Sequence, residues 1–239
     1  MHHERPSRVP GAVVWTSQST GDEYRVLPDG CMDLIWASDG TLLVAGPDTT
    51  AFVTRGFPGT TVTGIRFAPG FAPNLLRVPA HQLRDCRVPL DAVIPAGAAR
   101  RLAAKLSGAS DPAGVLEDSA LAVDSTPAID AVVASARRGV PVGAIASDLG
   151  VSARQLHRWC LDAFGYGAKS LALILRMGRA LDFVRAGAAY ADAAARTGYA
   201  DQSHLARDVK MLAGVPLGQL VPEAANSSTE LPSGSWTDA

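Results

Sequence analysis

The sequence predicts an α+β protein of two domains, an N-terminal antiparallel β sandwich or barrel followed by an all-α C-terminal domain. Composition carries the first half of this reading. The first 90 of the 239 residues hold 20 Val, Ile and Thr but 7 Ala, whereas residues 91–220 hold 17 and 31, so strand formers give way to helix formers. Patterning carries the second half: short apolar runs between turn signals are replaced, from about residue 95, by stripes at helical spacing.

Taken in order, the runs Glu23–Val26, Met32–Trp36, Thr41–Val44, Phe52–Arg55 and Thr61–Phe67 read as strands. They are separated by Pro-Asp-Gly, Ser-Asp-Gly, Gly-Pro-Asp and, after the last, Ala-Pro-Gly. Each separator is a turn with a mechanism, because Pro presets φ and Gly accepts φ > 0. Strands this short at this spacing suit a small antiparallel sandwich or barrel over residues 10–90 rather than βαβ units. Ala98–Leu106 and Pro112–Val123 then read as short helices that extend this domain to residue 125, packing on its sheet or pairing two subunits. Residues 128–220 form the helical domain. The last 18 residues, Pro222–Ala239, are rich in Ser, Glu, Pro and Asn without apolar periodicity and read as a disordered tail.

Charge is uneven. Residues 128–220 carry 11 Lys and Arg against 7 Asp and Glu, while the remainder carries 11 against 16. That distribution is expected where one part of an acidic chain meets a polyanion. No apolar run approaches the roughly 18 residues of a membrane-spanning helix, and no signal peptide is visible, so a cytoplasmic protein without a membrane partner is expected. Three cysteines, Cys31, Cys86 and Cys160, are far apart and form no CxxC pair, which excludes a disulfide framework and a cysteine-rich zinc site. The β region offers His81 alone apart from His2 and His3, too few ligands for a metal-dependent barrel enzyme. Gly-rich phosphate loops, G-x-S-x-G elbows and H-E-x-x-H helices are also lacking. No cofactor, metal or catalytic residue is expected, and the chain reads as a non-enzyme.

An internal repeat at a distance of about 49 residues is the most informative feature. Its first copy runs from Ile145 to Arg158 and its second from Ala193 to Arg207. Each has a short helix with a small residue four positions before a glycine, Ala146 before Gly150 and Ala194 before Gly198, followed by an N-cap, Ser152 or Asp201. The glycine allows the left-handed turn that ends one helix, and the alanine lets the next helix cross closely. Ser152 with Gln155 fits a capping box. After it, Leu156, Cys160 and Phe164 recur every four residues as an inward stripe, leaving Arg154, His157 and Arg158 outside near the N-terminal end. In the second copy Leu205 and Val209 face inward, and Gln202, Ser203, His204 and Arg207 fall on or near the exposed face. The segment Lys169–Ala186 joins the copies; as a helix it spans about 27 Å, suited to two helix-turn-helix units near one DNA turn of about 34 Å apart.

On these residues, together with Leu175-Arg176-Met177-x-Arg179-Ala180-Leu181 and Gly198-Tyr199-x-Asp201-Gln202-Ser203-His204-Leu205-x-Arg207, the segment 128–220 resembles the DNA-binding domain of the AraC/XylS family of bacterial transcription regulators. It has Val209-Lys210 and Gly214-Val215-Pro216-Leu217 where that family commonly has Phe-Lys and Gly-Val-Thr-Pro. The resemblance implies two helix-turn-helix units on a linker helix, with double-stranded DNA as partner. Carried over, it points to Arg154, His157 and Arg158, and to Gln202, Ser203, His204 and Arg207, as base-facing residues. Lys169, Arg176, Arg179 and Lys210 are phosphate-contact candidates, against salt bridges to Asp162 or Asp182 for the linker arginines. Arg25–Trp36 with Gly64–Gly70 resembles a cupin-like sensor domain found ahead of such DNA-binding domains. By that analogy a small-molecule effector is a candidate partner, with RNA polymerase a partner if the protein is an activator rather than a repressor; a homodimer is a further candidate that the sequence leaves open.

Trp15, Tyr24, Cys31 and Trp36 are the effector-pocket candidates, against plain core. An alternative is a thiol-based regulator in which Cys31 or Cys86 is activated by a neighbouring arginine, against buried inert thiols. A DNA-modifying enzyme with an appended DNA-binding domain and an adaptor that binds no DNA are the remaining alternatives.

Overall fold

The computed structural model describes residues 2–56 and 58–221; the tail expected at 222–239 lies outside them. Among the described residues eight strands form two antiparallel sheets: β1 (His2–Pro6), β2 (Val13–Gln18), β3 (Glu23–Val26), β4 (Met32–Ala37), β5 (Leu42–Ala45), β6 (Phe52–Arg55), β7 (Thr61–Phe67) and β8 (Arg87–Pro89). Six strands make one sheet in the order β1-β2-β7-β4-β5-β8, and β3 and β6 pair with each other in a separate ribbon. The predicted strands 23–26, 52–55 and 61–67 appear with those bounds. The strands β1, β2 and β8 were not predicted, and β1 begins before residue 10.

Register assigns the faces, since side chains directly opposite on paired strands share one side. Val14 lies opposite Ile65, Ile65 opposite Leu34, and Leu34 opposite Val44. All four are buried, in a cluster that also holds Leu106, Leu116 and Ala120. Those last residues come from α2 (Ala96–Ser107) and α3 (Pro112–Ala120), so these helices pack on the sheet. An ion-pair lock closes this layer. Glu117, only 1% exposed, accepts from Arg5 Nη1 and the Arg8 amide at 2.8 Å and from Arg8 Nε at 3.0 Å. The Arg5 guanidinium above all holds the Glu117 carboxyl down at about 2.

After the short α1 (Ala72–Leu76), the remaining helices are α4 (Pro127–Arg137), α5 (Val142–Asp148), α6 (Ala153–Phe164), α7 (Ala168–Arg185), α8 (Tyr190–Arg196), α9 (Gln202–Ala213) and α10 (Leu217–Leu220). They enclose a second cluster built around Leu171, Ile174, Met177 and Leu181 of α7. The long helix therefore serves as the spine, packed against α4, α6, α8 and α9. Leu27 of the β layer joins this cluster, and His81 Nδ1 lies 3.4 Å from Asp162 on α6, so the two layers are in contact. Among the described residues no helix is long and apolar enough to cross a membrane.

Candidate nucleic-acid interface

The turn between α5 and α6 is shaped by Gly150, whose φ of 65° ends the first helix in the left-handed region. Ser152 Oγ then accepts from the Gln155 amide at 3.2 Å and starts α6. Leu156, Cys160 and Phe164 are buried, at 0%, 0% and 1% exposure, so the stripe at four-residue spacing faces the core. Arg154, His157 and Arg158 are exposed, and the two arginines have no ion-pair partner among the described residues. The His157 ring lies against the Gly167 backbone, where a Cβ would come 2.9 Å from Nδ1.

The second unit repeats this design. Gly198 has φ 78°, Asp201 Oδ1 accepts from the His204 amide at 2.7 Å, and α9 has the same length as α6, 12 residues, displaced by 49 positions. Leu205 and Val209 are fully buried. The helices before the turns, α5 and α8, are 48 positions apart, so the second turn contains one more residue. Gln202, Ser203 and Arg207 are exposed, as are Lys169 and Lys210.

Two of the predicted contacts change character. Arg176 does not present a free guanidinium to phosphate: it pairs with Asp208 on α9 at 2.9 Å and lies 4.1 Å above the Tyr199 ring. Its partner is neither Asp162 nor Asp182, which meet His81 and Arg185 instead. His204 belongs to the same group, edge-on to Tyr199 at 5.0 Å and 3.7 Å from Asp208. The group joins the linker helix to the second recognition-helix candidate, a role that the periodicity of either helix alone does not reveal. Arg179 is half-buried beside Arg176, and burial lowers its pKa.

The four effector-pocket candidates are not brought together. Trp15 faces Gly64, which faces Ile35, whereas Trp36 faces Thr63, one residue along; the alternation of a strand therefore puts the two indoles on opposite sides of the sheet. Tyr24 lies on the separate ribbon and is 40% exposed. Cys31 is buried, and burial with the Asp29 carboxylate pushes its thiol well above the ordinary range. Burial likewise raises Cys160 to about 11. The Cys86 sulfur lies 3.2 Å from the Arg84 carbonyl. Neither of two open clefts, of about 420 and 450 Å³, is lined by any of the four candidates.

What sequence reasoning missed is a charged row on the Trp15 side of the sheet. Arg66 on β7 stands opposite Asp33 on β4, with Asp29 and Glu4 also within 4 Å of its guanidinium. Burial raises Asp33 to about 6 in spite of Arg66. At the far edge Arg87 binds Asp48 through two contacts of 2.6 Å and lies 4.0 Å from the Phe52 ring centre. The one signal was Arg66 itself, between Ile65 and Phe67 in a strand; alternation alone would have turned it to water.

Comparison with known proteins adds the following. Residues 145–221 match a family described as a helix-turn-helix domain, and residues 12–89 match one described as a domain of unknown function (DUF6597). No curated protein matches the chain. Among solved structures, ToxT of Vibrio cholerae O395 aligns with a TM-score of 0.49 at 10% identity, over 90% of this chain and 98% of its own. ToxT of Vibrio cholerae strain SCE256, bound to an unsaturated fatty acid, aligns with a TM-score of 0.48 at 12% identity, over 95% and 100%.

Proposed function

We propose that the chain is a sequence-specific DNA-binding transcription regulator of the AraC type whose two recognition helices are α6 and α9; the match of residues 145–221 to a helix-turn-helix domain family supports this reading. The observation that carries this is the pair of equal, identically built helices. Each starts on a side-chain N-cap after a left-handed glycine and exposes arginine near its N-terminal half, Arg154 and Arg158 in one and Arg207 in the other. A helix entering the major groove meets base edges with those positions, and Arg is the commonest reader of guanine. Lys169 and Lys210 supply phosphate contacts that set register and affinity but not sequence. Gln202 and Ser203 complete the second reading surface; His204 orients α9 from within the Tyr199–Asp208 group.

Residues 10–125 are the regulatory domain in this reading, and residues 128–220 the DNA-binding domain. A small effector bound to residues 10–125 acts by binding one DNA-competent state better than another, as any effector must. The protein works where its DNA is, in the cytoplasm, as a regulator and not an enzyme. Burial raises the Cys31 thiol, which weighs against Cys31 as the thiolate of a redox sensor, since the protonated form is the unreactive one.

The test is selection of duplexes from a random library by the full chain. The expected product is one enriched motif with two recognised segments about 10 base pairs apart, centre to centre. Enrichment no better than that of an unrelated basic protein would exclude the regulator.

A further inference from the structure

The last carbonyls of a helix have no partners within it, and they form the negative end of its dipole. At the C-terminal end of α9 such carbonyls, and just past α6 the next carbonyl along, are met by donors from the β layer. The Gly165 carbonyl, just past α6, accepts from Arg84 Nη1 at 3.2 Å. Gly165 also sits so close to the loop after β5 that a Cβ on it would lie 2.8 Å from the Pro47 ring. At the equivalent end of α9, the Leu212 carbonyl accepts from the Ala51 amide at 2.7 Å and the Ala213 carbonyl from Arg25 Nη1 at 2.9 Å.

The two grips use different side chains, Arg84 for α6 and Arg25 for α9, and share the loop between β5 and β6, which carries both Pro47 and Ala51. Pro47 follows β5 and Arg84 precedes β8, and these loops are laced together by Asp85 N to Pro47 O at 3.1 Å and Gly46 N to Cys86 O at 2.9 Å. The first unit is thereby bolted to the six-stranded sheet. Arg25 and Ala51 instead belong to, or border, the β3–β6 ribbon, which shares no strand pairing with that sheet. The ribbon is tied to it through Phe52 against Arg87 and through the loop before β6, where Asp48 binds Arg87 and the Thr49 amide donates to Asp85.

We propose that the β3–β6 ribbon is the positioning element of the second helix-turn-helix unit, and that Arg25 is the residue through which the β layer sets the distance between the two recognition helices on DNA. Arg25 is a positioning residue: it holds the far end of α9 and does not touch bases. Loss of the Arg25 contact releases the end of α9 and leaves the Arg84 contact near the end of α6 in place, so discrimination against a wrongly spaced operator is lost at the second unit alone. The proposal rests on the DNA-binding reading above.

The experiment uses the full chain and its selected duplex, with Arg25→Ala, Arg25→Lys and Arg84→Ala. Footprinting of Arg25→Ala is expected to show at least tenfold weaker protection of one recognised segment and no more than twofold at the other. The penalty for one base pair inserted between the segments should fall to less than half of its parent value. Arg25→Lys, which keeps a charged donor, should recover most of the protection, and Arg84→Ala should weaken the opposite segment. A readout without DNA accompanies this: amide exchange over residues 209–215 should be at least fivefold faster in Arg25→Ala, with 160–166 unchanged. Equal exchange in parent and variant would overturn the proposal whatever the DNA result. Unchanged protection with an unchanged insertion penalty would overturn it too. Faster exchange in a chain whose parent binds no DNA would leave the grip standing and remove the spacing role together with the DNA reading.

Discussion

Replacing Asp208 with Ala removes the carboxylate that Arg176 meets at 2.9 Å, and the cost can be worked from the surroundings. Opposite charges at that separation attract by roughly 6 kcal/mol at an effective dielectric of about 20. Most of this is offset by lost hydration, because the two side chains are only 27% and 15% exposed. A net coupling of about 1–2 kcal/mol remains. Asp208→Ala should cost about 2 kcal/mol, since it also leaves a guanidinium over Tyr199 whose Nε already lacks a hydrogen-bond partner. Urea unfolding at pH 7 of the parent, Asp208→Ala, Arg176→Met and the double variant closes a cycle. The double variant should be more stable than the sum of the single losses predicts, by about 1–2 kcal/mol. A coupling below about 0.3 kcal/mol would refute the reasoning that this pair fastens α9 to α7.

Three further outcomes are expected. Glu117 has a native pKa of about 2 against an ordinary 4.5, so its stabilisation is complete above pH 4.5 and is lost as pH falls towards 2, by about 3 kcal/mol in all. Glu117→Gln should flatten that acid limb in urea titrations between pH 2 and 7; a variant as acid-sensitive as the parent would contradict the lock. Asp33 has the opposite sign. With a native value of about 6 against 3.8, it takes up its proton more readily folded than unfolded, so its contribution falls as pH rises from about 4 to 6, by up to about 3 kcal/mol, and is level above. Asp33→Asn should erase that slope, and a persisting slope would assign it elsewhere. Gly150→Ala and Gly198→Ala meet no atom within 4 Å, so their cost is the left-handed backbone alone, about 1–2 kcal/mol each. Thermal melts unchanged by either would deny the turns the role given to them.

The helical half was the more legible part because its signals are local. A cap, a glycine and an apolar stripe lie within one turn of each other, and α6, α9, Gly150 and Gly198 follow from them directly. The ribbon strands 23–26 and 52–55 were readable for a similar reason, being punctuated by Pro and Gly. Strand β1 was not: His-His-Glu-Arg-Pro has no apolar alternation, and it is held by β2 and by Glu117, more than 100 residues away. Register is equally invisible along a chain, which is why Trp15 and Trp36 read as neighbours in a pocket but face opposite ways. The linker arginines failed through distance as well. Arg176 finds its carboxylate on Asp208, 32 residues on, once α9 has folded back against α7.

The account stands or falls on base reading by α6 and α9, and the direct measurement is affinity for the selected duplex and for random duplex across a salt series. The parent, Arg154→Ala, Arg207→Ala and Lys210→Ala are compared. The expected result is specific binding that weakens with salt, with each arginine variant losing about 1–3 kcal/mol on the selected duplex and little on random DNA. Lys210→Ala should weaken both duplexes alike and make the salt slope shallower by about 1. Arginine variants that bind the selected duplex as the parent does, or that lose as much on random DNA, would contradict the assignment of these helices as the readers.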